Sequence, residues 1–355
     1  MSELQSIRGR GAAHNPKNRF ERLAVVRDVH PELGPDDEIL PPKTEHLRMN
    51  SKTILTKNDS PDVGFSLSIN PYNGCTHGCA YCYARPYHEY WGLSAGLDFE
   101  TKILVKDNAP ELLRTALMSP KYEPQVIAIS GVTDCYQPSE KQFRLTRGCL
   151  EVLAEFKNPV SIITKNRLVT RDIDILQRLA ADELVKVNIS VTSLRMEIQQ
   201  SMEPRTSTPK ARLEAIRTLT AAGIPVGVMV APVIPGLTDE EVPAILQAVA
   251  EAGAISAGWT MLRLPYAVAP IFEDWLERNF PLKKDRVLNR IKSIRGGKMN
   301  DANFGSRMRG EGAFAEQMQQ MFDLGCRKAG LPNTHTALRT DKFTRPQIGQ
   351  LNLFS

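Results

Sequence analysis

The sequence predicts an α/β protein: a partial barrel of six parallel β/α units, with an irregular N-terminal leader and a helical C-terminal extension. Three observations predict it. Six short apolar or alternating runs recur between residues 62 and 268, and helical periodicities lie between them. After the second run the units repeat roughly every 25–40 residues, as right-handed crossover connections require. Six units are too few to close an eight-stranded barrel, so an open or partial barrel is expected, with a doubly wound sheet as the alternative.

The candidate strands, in order, are Phe65–Ile69, Gln125–Ser130, Val160–Thr164, Val185–Val191, Pro225–Val230 and Ala257–Leu262. Lys102–Lys106 reads as an extra strand inside the long first connection. Apolar residues at helical spacing mark Phe143–Phe156, Leu168–Leu179, Ala211–Ala222 and Glu240–Ala252. Thr238 precedes the last of these as an expected N-cap, with Glu241 as its capping-box partner. Gly223 and Gly253 stand where helix C-caps favour glycine. Residues 1–61 are rich in Pro, Gly and charge, and read as a largely irregular basic leader carrying Arg8, Arg10, Lys17, Arg19 and Arg22. Residues 62–268 form the barrel. Residues 269–355 read as a helical extension ending in an extended tail.

The chain has 355 residues, 42% of them hydrophobic and 24% charged, which excludes a disordered or fibrous protein. It has no apolar run of membrane-spanning length and no signal-peptide pattern at its start, so a cytoplasmic protein with no membrane partner is expected. A net charge of +5 permits a polyanionic partner without demanding one. Six cysteines occur, and in a cytosolic chain they are not expected to pair as disulfides. Three of them fall within eight residues, the usual mark of a metal or cluster site.

That group is Cys75-x3-Cys79-x2-Cys82, directly after the first candidate strand. Three thiolates on one tight loop can hold three irons of a [4Fe–4S] cube and leave the fourth iron open to a ligand. Gly74 and Gly78 let the loop curl closely. A structural zinc site wants four ligands. His77 or His88 could supply the fourth, but no second ligand pair follows downstream.

With Tyr81 just before the last cysteine, the motif resembles the signature of the radical S-adenosylmethionine (SAM) enzymes, and the expected fold then reads as a partial (β/α)6 radical SAM barrel. The resemblance covers about residues 62–265 of this chain. The wider context, Asn70-Pro71-Tyr72-Asn73-Gly74-Cys75 and Tyr83-Ala84-Arg85-Pro86, is similar to the branch related to spore photoproduct lyase, the DNA repair photolyase-like proteins. The resemblance implies two cofactors, a [4Fe–4S] cluster held by Cys75, Cys79 and Cys82, and SAM chelating the open iron. It also implies an electron donor, because one electron from the reduced cluster breaks the sulfonium–C5′ bond and yields a radical that takes hydrogen from a substrate.

The resemblance further implies that SAM is met at the C-terminal ends of the strands. Thr133 and Asp134 fall where the family contacts the SAM amine. Lys165 is expected to pair with the SAM carboxylate, and Ser190, Thr192 and Ser193 to meet the ribose. The Ala231–Gly236 turn is expected to pass near the adenine. Cys135, at the end of the second strand, is expected to face the same cavity and return a hydrogen atom to the product radical, while Cys149 and Cys326 read as packing residues.

Five of the eight tyrosines, Tyr72, Tyr81, Tyr83, Tyr87 and Tyr90, lie close to the motif, as an aromatic wall or as loop packing. Residues 283–309 carry nine basic residues against Asp285 and Asp301, a candidate phosphate-binding face. The chain ends Gln350-Leu351-Asn352-Leu353-Phe354-Ser355. Gln350, Leu351, Leu353 and Phe354 resemble the peptide by which bacterial repair proteins dock on the sliding clamp. The expected function is therefore radical SAM chemistry, with lyase-like repair of DNA as its specific form. The alternatives are a radical SAM enzyme acting on RNA, protein or a small molecule, and a non-catalytic iron–sulfur bridging protein.

Overall fold

The computed structural model describes residues 6–21, 42–332 and 337–346. Ten strands lie in it: β1 Glu45–Arg48, β2 Leu55–Lys57, β3 Leu67–Ile69, β4 Tyr72–Asn73, β5 Lys102–Val105, β6 Ile127–Ile129, β7 Val160–Thr164, β8 Val185–Ser190, β9 Val226–Val233 and β10 Ser256–Met261. Seven of them form one sheet in the order β10-β9-β8-β7-β6-β3-β2. The strands β3, β6, β7, β8, β9 and β10 pair in parallel. These are the six strands the periodicity predicts, in sequence order, so the partial-barrel reading holds over the doubly wound one. The crossover helices cover the outer face of the sheet and the barrel interior closes over the inner one, and accordingly every residue of β3 and β6 is buried. The main core joins strand residues such as Ile129, Ile162, Val187 and Val228 to helix residues such as Leu150, Leu176, Ile216 and Ile245.

The stretch expected to be irregular supplies two strands. β2 adds antiparallel to β3 and ends the large sheet. β1 pairs in parallel with β5, the extra strand expected at Lys102–Lys106, and β4 completes this small second sheet.

Two elements differ from the sequence pattern for a tertiary reason. The helix expected over Phe143–Phe156 is found at Leu145–Glu155, set off by a break at Arg144 with φ +53° from a separate short helix, Glu140–Phe143. Glu140 is the cause. Its carboxylate accepts from the Thr146 amide at 3.0 Å and the Arg147 amide at 3.3 Å, capping the second helix with a negative charge. The expected capping box at Thr238 and Glu241 does not form. The Thr238 hydroxyl accepts from the Ile234 amide, and Glu241 instead accepts from the Leu194 amide, Ser193 and Arg195, so the helix Val242–Glu251 begins after a short 3-10 turn.

The C-terminal extension is helical, with Val268–Asn279, Pro281–Ser293 and Ala313–Lys328 as its long elements. Ala313–Lys328 packs on Val242–Glu251, where a Cβ on Gly325 would stand 2.6 Å from Leu246 Cδ1. Residues 337–346 run past the loops that lead into β7 and β8, through Thr344 N to Phe156 O at 2.9 Å and Arg339 N to Glu183 O at 3.1 Å. Gln350, Leu351, Leu353 and Phe354, the expected clamp-docking residues, lie outside the described residues. Among the described residues no helix is long and apolar enough to cross a membrane.

Candidate active site

The cysteine loop leaves β3, turns through β4 and winds tightly. The Gly78 amide donates to Cys75 O and the Cys82 amide to Cys79 O. Gly78 has φ +67°, and a Cβ there would meet the Glu100 carboxylate at 2.7 Å, so the position requires glycine. Cys75 and Cys79 are buried, Cys82 is half-buried, and all three are free thiols. Burial raises the Cys79 thiol, with Glu203 adding to it, and pushes Cys82 up to about 11, with Cys75 adding to it. Such thiols stay protonated until a metal takes the place of the protons. Three neighbouring soft donors on one loop, with no fourth cysteine on it, suit an iron–sulfur cube with an open corner.

Arg85 and Glu100 brace this loop from behind. The fully buried Arg85 donates to Cys79 O at 2.8 and 3.0 Å, to Ala95 O and Gly96 O at 3.0 Å, and to the Glu100 carboxylate at 2.5 Å. Glu100 in turn accepts from the amides of Gly11 at 3.1 Å and Ala12 at 2.9 Å. A second network lies on the other side. Glu203, buried in the loop after helix Met196–Met202, accepts from Tyr81, from Arg212 and, at 2.8 Å, from Thr192. Burial alone would raise its pKa, but Arg212, Lys165 and Tyr81 hold it below the usual range. Neither network is legible in the sequence, because the partners are far apart and fit no motif. Arg85-Pro86, adjoining the motif, is the single hint.

The predicted strand-end residues converge on the same loop. Asp134 accepts from the Lys165 amide and Thr164 Oγ1, each at 2.7 Å, and lies 3.4 Å from His77 Nδ1. Burial alone would raise Asp134 and lower His77. Their mutual attraction reverses both, to about 2 for the acid and about 9 for the imidazole, with Cys75 also raising His77. Asp134 thus ties the β6 and β7 ends to the cysteine loop. Thr133 donates to Tyr72 O at 2.7 Å. Ser130 holds φ +85° in this turn, and its hydroxyl accepts from the Cys135 amide. Cys135 is 1% exposed within the main core, set behind the turn rather than open to a cavity as expected.

Lys165 places its ammonium 6.0 Å from the Tyr81 ring centroid, close enough to Cys79, Cys82 and Glu203 to act on their charge. Among the described residues it forms no ion pair. Ser193 is engaged by Glu241, and Thr192 by Glu203 and Ala231 O. Ser190 is buried at the end of β8, and among the described residues its hydroxyl has no hydrogen-bond partner. The turn expected at Ala231–Gly236 begins later, since β9 runs to Val233.

The tyrosine group divides. Tyr72 and Tyr81 are buried against Glu140 and Glu203. Tyr83, Tyr87 and Tyr90 are 42%, 53% and 66% exposed and form a rim with Trp91. Tyr87 and Trp91 border a small cleft whose wall includes Gly74, Val132 and Thr133. Arg263, just after β10, lies 5.7 Å over Tyr83, and its buried Nε has no partner among the described residues. The basic stretch 283–309 is not a continuous patch. Arg295 donates to Leu262 O, Arg307 pairs with Asp62, and Arg309 donates to Trp259 O. Lys283, Arg286, Lys292 and Lys298 remain for solvent.

The family model of the radical SAM superfamily matches residues 69–249. An uncharacterized protein of Mycobacterium tuberculosis is 38% identical over 264 residues, covering 74% of this chain and 76% of its own. An uncharacterized protein of Methanocaldococcus jannaschii is 28% identical over 253 residues, covering 70% of this chain and 88% of its own. In fold the chain is similar to spore photoproduct lyase complexed with dinucleoside spore photoproduct. The TM-score is 0.58 at 17% identity, over 80% of this chain and 79% of that one.

Proposed function

Because the chain belongs to the radical SAM superfamily, whose enzymes use a [4Fe–4S] cluster and SAM, we propose that it cleaves SAM reductively and turns the resulting radical on DNA in a photoproduct-lyase-like reaction. When bound, the cluster and SAM supply a 5′-deoxyadenosyl radical able to take hydrogen from an unactivated carbon. The observation that carries the reading is the convergence on one loop. Cys75, Cys79 and Cys82 lie within one tight eight-residue turn, and the Lys165 ammonium, which forms no ion pair among the described residues, stands 6.0 Å from the ring of Tyr81 in that turn.

In this reading Cys75, Cys79 and Cys82 hold the cluster. Lys165 pairs with the SAM carboxylate, and the unengaged Ser190 hydroxyl is available to the ribose. Thr133 and Asp134 shape the wall at the SAM amine, and Ser193 acts indirectly through Glu241. Cys135, sealed in the main core, is not assigned a step in this reading. The exposed Tyr83, Tyr87, Tyr90 and Trp91 beside Arg263 support a nucleic-acid substrate, because bases stack on aromatic rings and arginine attracts phosphate. The dinucleoside photoproduct in the similar lyase structure agrees with that class. Reduction calls for an external electron donor.

The test is anaerobic reconstitution with iron and sulfide, followed by reduction and assay for 5′-deoxyadenosine with and without UV-irradiated DNA. Expected are labile sulfide, SAM cleavage and added turnover with irradiated DNA, all lost in Cys79→Ala. Bound zinc without sulfide refutes the cluster assignment. Turnover indifferent to irradiated DNA refutes the substrate.

A further inference from the structure

We propose that the leader segment Gly9–Ala12 is a strap that fixes the curvature of the cluster-binding loop and closes its outer face, so that cluster retention depends on residues some seventy positions before the motif. The inference rests on the radical SAM reading and assigns a role to a segment that reading leaves unused.

The contact is between backbones. A Cβ on Gly11 would lie 1.9 Å from Gly78 O and 3.0 Å from the Ala80 amide. No side chain can move aside to make room, so the leader lies directly on the loop between Cys75 and Cys79. The strap is also anchored at each of its residues. Arg205 donates to Gly9 O at 3.1 Å while its own amide donates to His77 O. Arg10, 4% exposed, donates to Glu100 O at 2.9 Å and to Pro42 O at 2.7 Å. The amides of Gly11 and Ala12 share the two Glu100 oxygens, and Arg278 donates to Gly11 O at 3.3 Å.

Glu100 is the relay. One carboxylate receives the strap on one side and Arg85 on the other, and Arg85 holds the Cys79 carbonyl. The strap therefore acts on a cluster ligand through two buried side chains as well as by direct contact at Gly78. Beyond residue 12 the chain stays pinned to the helical turns that follow the loop, by His14 O to the Leu97 amide and by Arg19 to Glu89 at 2.6 Å. A buried charge pair with six further hydrogen bonds is more than is needed to hold a segment down, and its placement against the ligand loop gives it a positioning role.

The test compares Gly11→Ala, Glu100→Ala and Glu100→Gln with wild type after anaerobic reconstitution, with Gly64→Ala as a control at a glycine that touches nothing. Each is scored for iron and sulfide per chain, for the rate of iron release to a chelator, and for bleaching of the visible cluster absorption in air. Gly11→Ala and Glu100→Ala should release iron about ten-fold faster, the scale of an outer-shell defect at a metal site, and bleach faster in proportion. Glu100→Gln, which keeps the shape but only one of the two oxygen acceptors, should fall between, and Gly64→Ala should match wild type. Should Gly11→Ala fail to fold, a chain lacking residues 1–12 takes its place with the same expectation. A folded Gly11→Ala or truncated chain with full iron, wild-type release and wild-type bleaching overturns the proposal. A wild-type chain that assembles no iron–sulfur cluster overturns the family-based reading instead.

Discussion

At the scale of single residues, the site is framed by charges that never meet water. Glu203 and Arg212 have side chains about 1% and 2% exposed, and the carboxylate serves Tyr81 and Thr192 as well. Removing one partner of such a pair strands the other as an uncompensated buried charge. Glu203→Ala should therefore destabilise the apoprotein by about 3–5 kcal/mol. The paired change Glu203→Leu with Arg212→Met should recover most of that loss, because no charge is left behind. Urea unfolding checks both, and a loss under about 1 kcal/mol for Glu203→Ala would show that the network is not a framework at all. None of this is visible from the motif, which names three ligands and leaves their supports to distant residues.

At the scale of elements, the strands were legible and some helix ends were not. The parallel strands announce themselves by short apolar runs at crossover spacing, a property each run carries locally. The break at Arg144 depends on Glu140, whose carboxylate is also claimed by Tyr72 and Arg171, and no local window contains those partners. Likewise Glu241 is drawn away from its expected cap by Ser193, Leu194 and Arg195. The helix Ala313–Lys328 offers a direct check on packing. Gly325→Ala gains about 1 kcal/mol of helix propensity and meets only the movable tip of Leu246, so it should be near neutral. Gly325→Val adds two more methyl groups against Val242–Glu251 and should cost about 1–3 kcal/mol by overpacking. Equal stability of the two variants in thermal unfolding would contradict the observed helix contact.

At the scale of the whole molecule, leader, barrel and extension meet around one ligand site. If SAM binds through the cluster, stabilisation by SAM must require the cluster. SAM at a hundred times its dissociation constant should stabilise the holoprotein by about 2.7 kcal/mol and raise its Tm by several degrees. The chelated apoprotein should show little shift. An equal shift in both forms would place SAM elsewhere. The cofactor end of this site could be read from the sequence, because cysteine spacing is chemistry written locally. The pairing of Tyr83 with Arg263 could not, since the two meet only through the tertiary fold.

The sheet stops at β10 on one side and at β2 on the other, without the two edges joining. The C-terminal extension spans that gap: Arg307 pairs with Asp62 in the loop after β2, and Arg309 lies 4.3 Å over the ring of Trp259 in β10. The extension thus works as a clasp on an unclosed ring, fixing how far apart its two margins stand.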